Sequence, residues 1–160
     1  MQIYSEPGLG TTVSILLPAT DEAGQPEPAG GSEPQVAQGN GETILVVEDE
    51  PALRDLACRI LDGAGYRVLA AESGAAALAL AARHSGEIEL LLTDVIMPGI
   101  LGKELADRLT ARDPKLRVLY MSGYAQPILA SRGTLDPGVT LIEKPFGKAE
   151  LLTAVRHQLD

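Results

Sequence analysis

Thr43-Ile44-Leu45-Val46-Val47-Glu48-Asp49-Glu50-Pro51 is the stretch on which the fold turns. Five β-branched or aliphatic residues without polar alternation read as a strand buried on both faces. The acids that follow lead to a proline placed where a helix begins, a position at which its missing N–H costs nothing. Leu53, Leu56, Ala57, Ile60 and Leu61 then recur at the spacing of one apolar helical stripe, and Gly63 and Gly65 close it.

The same unit returns along the chain. Leu90-Leu91-Leu92-Thr93 runs into Asp94, Val118-Leu119-Tyr120-Met121 into Ser122, and Leu141-Ile142-Glu143 into Lys144-Pro145. The pattern predicts strands at 43–47, 67–71, 89–93, 117–121 and 139–142, alternating with helices at 51–63, 74–84, 101–112, 125–131 and 148–159. Such alternation is the mark of a doubly wound α/β fold with right-handed crossovers and a parallel sheet covered on both faces. Ligands of these sheets sit outside the carboxyl ends of the strands. Glu48, Asp49, Asp94, Ser122 and Lys144 all fall there.

Clustered carboxylates repel one another unless a cation intervenes, and oxygen donors without His or Cys favour a hard ion, Mg2+ first. With that charge neutralised, one carboxylate can act as nucleophile toward a phosphoryl donor. An amine and a hydroxyl, Lys144 and Ser122, can then hold phosphoryl oxygens. Taken singly, each residue has a plainer reading: an acidic helix start, a turn at Ser122-Gly123, a surface lysine before a kink. Their joint placement at successive strand ends favours the common site. His84 and His157 lack neighbouring ligands or nucleophiles and read as surface positions.

Composition agrees with a protein or small-molecule partner. The chain has 160 residues, 45% of them hydrophobic, and a formal charge of −9. Nucleic-acid binding calls for clustered Lys and Arg, which the sequence lacks. One cysteine, Cys58, permits no internal disulfide, and neither a secretory leader nor a long apolar span is evident, so a cytoplasmic location without membrane contact is expected.

Charge divides the chain unequally. Residues 1–42 carry six acids and no Lys or Arg, leaving 16 acids and 13 bases for the remainder. Residues 19–42, rich in Pro, Gly, Glu and Ala, are expected to form a disordered linker, since too little apolar surface is present to offset the ordering entropy. As coil, its root-mean-square span is about 25–30 Å. Ahead of it, Ile3-Tyr4 and Thr11–Leu17 flank a Gly-containing loop and predict a β-hairpin. An isolated hairpin is marginal in water, so this one is expected to belong to a sheet outside the chain and, without it, to be disordered rather than docked on a strand edge.

Val46-Val47-Glu48-Asp49-Glu50-Pro51, Thr93-Asp94-Val95-Ile96-Met97-Pro98 with Gly102, Met121-Ser122-Gly123-Tyr124 and Lys144-Pro145-Phe146 together closely resemble the receiver domains of two-component response regulators, over residues 43–160. The resemblance implies a flavodoxin-like (βα)5 fold with strand order 2-1-3-4-5. It implies Asp94 as phosphoacceptor, Glu48, Asp49 and Asp94 with the Ile96 backbone carbonyl as Mg2+ ligands, Ser122 as switch hydroxyl and Lys144 as phosphate-sensing amine. It also implies a cis Lys144–Pro145 bond, and bulky Ile96 and Tyr124 beside the acceptor imply slow self-dephosphorylation. The output implied is a shift in the face built from the fourth helix, fifth strand and fifth helix. Partners implied are a histidine kinase dimerisation and phosphotransfer domain, in cis or in trans, or a histidine phosphotransfer protein. Residues 1–18 are similar to the last strands of a histidine kinase ATPase domain, the arrangement of a hybrid sensor kinase. This chain holds neither the nucleotide-binding boxes nor the phosphodonor histidine motif, and direct transcriptional control by this chain is not expected. Two positions depart from the common pattern: Glu48 stands where aspartate is usual, and Leu141 where an aromatic residue often precedes the lysine by three.

Two other readings use the same residues. A phosphorylation-independent receiver-like docking module leaves Asp94, Ser122 and Lys144 without a task. A Mg2+-dependent phosphatase of related fold carries a second acid two residues after its nucleophile, where this chain has Ile96.

Overall fold

The computed structural model describes residues 2–6, 10–14, 38–123 and 139–160, and the chain divides into two compact units, Met1–Ser32 and Glu33–Asp160. In the first, β1 (Gln2–Glu6) pairs antiparallel with β2 (Gly10–Ser14), placing Ile3 opposite Val13 and Ser5 opposite Thr11. The predicted hairpin is therefore formed. The disorder expected from Thr11 onward gives way to pairing through Ser14, because each strand residue of this short hairpin has a partner in register. Ile15 to Leu17, and the expected linker up to residue 37, lie outside the described residues.

In the second unit the order is β3 (Thr43–Val47), α1 (Pro51–Asp62), β4 (Arg67–Ala71), α2 (Gly74–Arg83), β5 (Leu90–Asp94), α3 (Gly102–Thr110), β6 (Arg117–Ser122), β7 (Leu141–Glu143) and α4 (Lys148–Leu159). The five strands form one parallel sheet in the order β4-β3-β5-β6-β7, which is 2-1-3-4-5 counted from β3. The helix predicted at 125–131 lies outside the described residues.

Continuous apolar strands are explained by two cores. Ile44, Val46, Leu90, Leu92, Leu119 and Met121 point to one face, where α1 and α4 cover them with Ala57, Leu61, Leu151, Leu152 and Val155. Leu45, Val47, Leu91 and Tyr120 point to the other, under Ala77 of α2 and Leu105 and Leu109 of α3. Each fully buried leucine contributes roughly 1.5–3 kcal/mol. Leu56 departs from the expected stripe: it is 40% exposed, because it lies on the flank of the face centred on Ala57 and Leu61.

The last residues of the segment expected as linker are fastened to the second unit. Gly39 N–H donates to the Ala64 carbonyl at 2.8 Å and Gly41 N–H to that of Gly65 at 3.2 Å. A side chain at 39 would meet the Tyr66 ring at 2.7 Å, so glycine lets the backbone lie on the aromatic face. Glu42 accepts a hydrogen bond from Arg156 of α4 at 2.6 Å.

Burial opposes ionisation of Glu42, yet the Arg156 hydrogen bond and charge, with backbone donors, bring its pKa down to about 2. A depressed carboxyl contributes stability that is present above its ordinary range near 4.5 and lost as pH falls toward 2. For a pair at the molecular edge this is about 1 kcal/mol. Glu42→Gln should lower urea stability by that amount at pH 7, with the difference from wild type shrinking between pH 5 and pH 3.

Candidate functional site

Parallel register brings the strand ends to one edge. Val47 is level with Thr93, Asp94 with Met121, and Ser122 with Glu143. Glu48 N–H still donates to the Ala71 carbonyl at 3.2 Å and Lys144 N–H to that of Ser122 at 2.7 Å, so the residues just past the strands remain tied to the sheet. Strands β5 and β6 each run one residue further than predicted, which places Asp94 and Ser122 within them. Lys144–Pro145 is cis.

At this edge Lys144 Nζ donates to Glu48 Oε2 at 2.5 Å and to Asp94 Oδ2 at 2.7 Å. The side chains are 15%, 2% and 14% exposed respectively, so this ionic triad is largely withdrawn from water. Asp49 is exposed, and one carboxylate oxygen from each of Glu48, Asp49 and Asp94 lies within 4.8 Å of the others. Ser122 is buried at the end of the strand beside Asp94. Ile96 donates its N–H to Asp94 Oδ1 at 3.2 Å while its side chain is 48% exposed.

Burial pushes the Glu48 carboxyl above its ordinary range, and the Lys144 hydrogen bond only partly offsets this. For Lys144 burial acts downward, but the hydrogen bonds and charges of Asp94 and Glu48 outweigh it and raise the ammonium. The two acids therefore hold the lysine charged. The lysine leaves an excess of negative charge at the edge, a setting suited to a cation with oxygen ligands.

Two contributions escaped the sequence reading. Gly102, the first residue of α3, packs so tightly on β5 that an added Cβ would lie 2.0 Å from the Asp94 carbonyl oxygen. Arg54, in the first turns of α1, reaches back with Nη1 to the Glu48 carbonyl at 2.8 Å and the Asp49 carbonyl at 3.5 Å. Gly102 is visible as part of a motif but its contact is not, and an arginine near a helix start gives no signal by itself.

Comparison with known proteins now adds kinship to geometry. Residues 44–156 match the family model described as response regulator receiver domain. Sensor kinase CckA of Brucella abortus is 33% identical over 162 residues, a match covering 98% of this chain and 17% of that protein. Response regulator receiver protein CpdR of the same organism is 32% identical, covering 72% of this chain and 95% of the relative. Among solved structures, the receiver domain of hybrid histidine kinase CckA is 39% identical, with a TM-score of 0.63 over 74% of this chain and 99% of that one. Chemotaxis protein CheY4 of Vibrio cholerae is 25% identical, with a TM-score of 0.66 over 74% of this chain and 99% of its own.

Proposed function

The chain belongs to the response regulator receiver domain family of two-component signalling, and from that membership we propose that Asp94 is its phosphoacceptor. The observation that carries the reading is the Lys144 ammonium held between Asp94 and Glu48 at the sheet edge. The donor is a phosphohistidine on a kinase phosphotransfer domain or a histidine phosphotransfer protein. An Asp94 carboxylate oxygen attacks phosphorus, the P–N bond breaks, and its electron pair leaves with the imidazole, giving an acyl phosphate on Asp94.

Glu48, Asp49 and Asp94, with the Ile96 backbone carbonyl, are the residues that would hold Mg2+. Their oxygen-only donor set and the closeness of their carboxylates fit a hard divalent ion. When bound, the ion neutralises charge between the incoming phosphoryl oxygens and the acceptor. Lys144 holds a phosphoryl oxygen through its ammonium, and the Ser122 hydroxyl donates to another. Phosphorylation adds about −1.5 to −2 charges at Asp94. The population shift that follows alters partner binding at the face around β7 and α4.

The match to CckA that extends over 98% of the chain supports residues 1–18 as the end of a kinase ATPase domain, 19–42 as the linker and 43–160 as the receiver of a hybrid sensor kinase. Among the described residues no helix is long and apolar enough to cross a membrane.

Incubation with acetyl phosphate and Mg2+ should give a single phosphoryl adduct by intact mass, absent without the metal and absent in Asp94→Asn. An undiminished adduct in that variant would remove Asp94 from the role. The exposed Ile96 side chain two residues beyond the acceptor should restrict attacking water. Ile96→Ser is expected to shorten the phosphoform half-life several-fold, read from decay of the adduct after the donor is removed; an unchanged half-life would argue against that shielding.

A further inference from the structure

Mutual repulsion drives Glu48, Asp49 and Asp94 apart, yet their oxygens lie within 4.8 Å. Something must hold the acidic loop in place. Within the loop, Glu50 N–H donates to Glu48 Oε1 at 3.3 Å, and Lys144 occupies Glu48 Oε2. Those bonds fix the Glu48 side chain, and backbone bonds from Glu48 N–H to the Ala71 carbonyl and from Arg54 N–H to the Glu50 carbonyl hold the two ends of the loop, but none of them engages the Glu48 and Asp49 carbonyls between. Glu50, the residue before α1, makes no side-chain cap, so the helix start does not anchor the loop by that route.

Among the described residues, the side chain that engages those two carbonyls is Arg54. It belongs to α1, whose neighbours Leu53 and Ala57 pack against the core, and its guanidinium donates to both the Glu48 and Asp49 carbonyls. We propose that Arg54 is a positioning residue for the divalent-cation site, clamping the two loop carbonyls to α1 so that the carboxylates of Glu48 and Asp49 stay aimed at Asp94. The proposal rests on the reading of that acidic trio as a cation site. Arginine suits the task because its planar fork keeps its charge at every accessible pH and needs little further ordering to donate.

Charge and position predict opposite signs. A guanidinium acting only as a nearby positive charge repels a bound cation, so deleting it would tighten binding. A clamp does the reverse: deletion lets the loop relax and weakens binding, by analogy with groups that orient metal ligands and whose loss costs about 10–100-fold in affinity.

The test is Mn2+ binding to the full chain by isothermal titration calorimetry, without any phosphoryl donor, for wild type, Arg54→Ala and Arg54→Lys, with Asp49→Asn as reference. Arg54→Ala is expected to bind at least about tenfold more weakly than wild type, within the range for orienting groups. Arg54→Lys, which keeps a donor for the Glu48 carbonyl, should recover part of the loss, and it decides the matter should the alanine variant fail to fold. Equal or tighter binding by Arg54→Ala, or a lysine variant no better than alanine, would overturn the clamp while leaving the cation site intact. Wild type that binds no Mn2+, or binding unaffected in Asp49→Asn, would overturn the site reading and the clamp with it.

Discussion

Gly102→Ala is expected to destabilise the protein by about 2–4 kcal/mol, the cost of a large overpacking defect. The added Cβ would lie 2.0 Å from the Asp94 carbonyl oxygen, 3.0 Å from its carbon and 3.1 Å from the Val95 Cα. All three are backbone atoms, so no rotamer change relieves the clash. The Gly102 amide also donates to the Val95 carbonyl at 3.0 Å, which ties the start of α3 to the end of β5. Relief therefore requires moving the helix or the strand that carries Asp94, and cation binding should weaken along with stability. Gly123→Ala is the control, since nothing among the described residues lies within 4 Å of its Cβ position. Urea denaturation of the two variants checks the expectation; equal midpoints would show that the β5–α3 contact is more yielding than its geometry implies.

Removing the lysine from the site should have a comparable effect. In Lys144→Met the carboxylates of Glu48 and Asp94 face each other at a largely buried edge with no ammonium between them. Breaking a buried pair by deleting one partner costs several kcal/mol, and the small remaining exposure of this one brings the expectation to about 2–3 kcal/mol at pH 7 in EDTA. The pH dependence follows from the directions already described. A raised lysine contributes its stabilisation below its ordinary range near 10.5 and loses it only as pH rises through the still higher folded value, so wild type keeps the pair across neutral pH. In the variant Glu48, already pushed upward by burial, loses the lysine that favours its charged form, so the deficit should shrink as pH falls toward 5. Millimolar Mg2+ should also restore stability, because a ligand that binds only the folded state shifts the equilibrium by mass action. A deficit unchanged by both acid and Mg2+ would mean that Lys144 acts through packing rather than charge.

Much of this molecule is legible in one dimension because its sheet is covered on both sides. Leu90-Leu91-Leu92 could serve two opposite cores only as a buried parallel strand, and the polar residue after each such run had to emerge at the common edge. Glu48, Asp94 and Lys144 are legible from that placement alone, without their hydrogen bonds. Contacts that depend on closure in space were not legible. Arg54 meets the acidic loop only because α1 turns back over β3, and Gly102 touches Asp94 only through the β5–α3 crossover. Residues 38–42 have the composition of coil, yet a glycine seated on Tyr66 and an ion pair from Glu42 to Arg156 hold them. Leu56 fits a helical stripe by spacing but lies too far round the helix to be covered.

Phosphorylation of Asp94 itself is the claim on which the functional account rests, and borohydride trapping reads it at the residue. After treatment with acetyl phosphate and Mg2+, reduction converts an aspartyl phosphate to homoserine, which peptide mass mapping locates. The account predicts homoserine at position 94 alone, and none when Mg2+ is withheld. Homoserine at Asp49 or another aspartate, with Asp94 unmodified in folded protein, would contradict it.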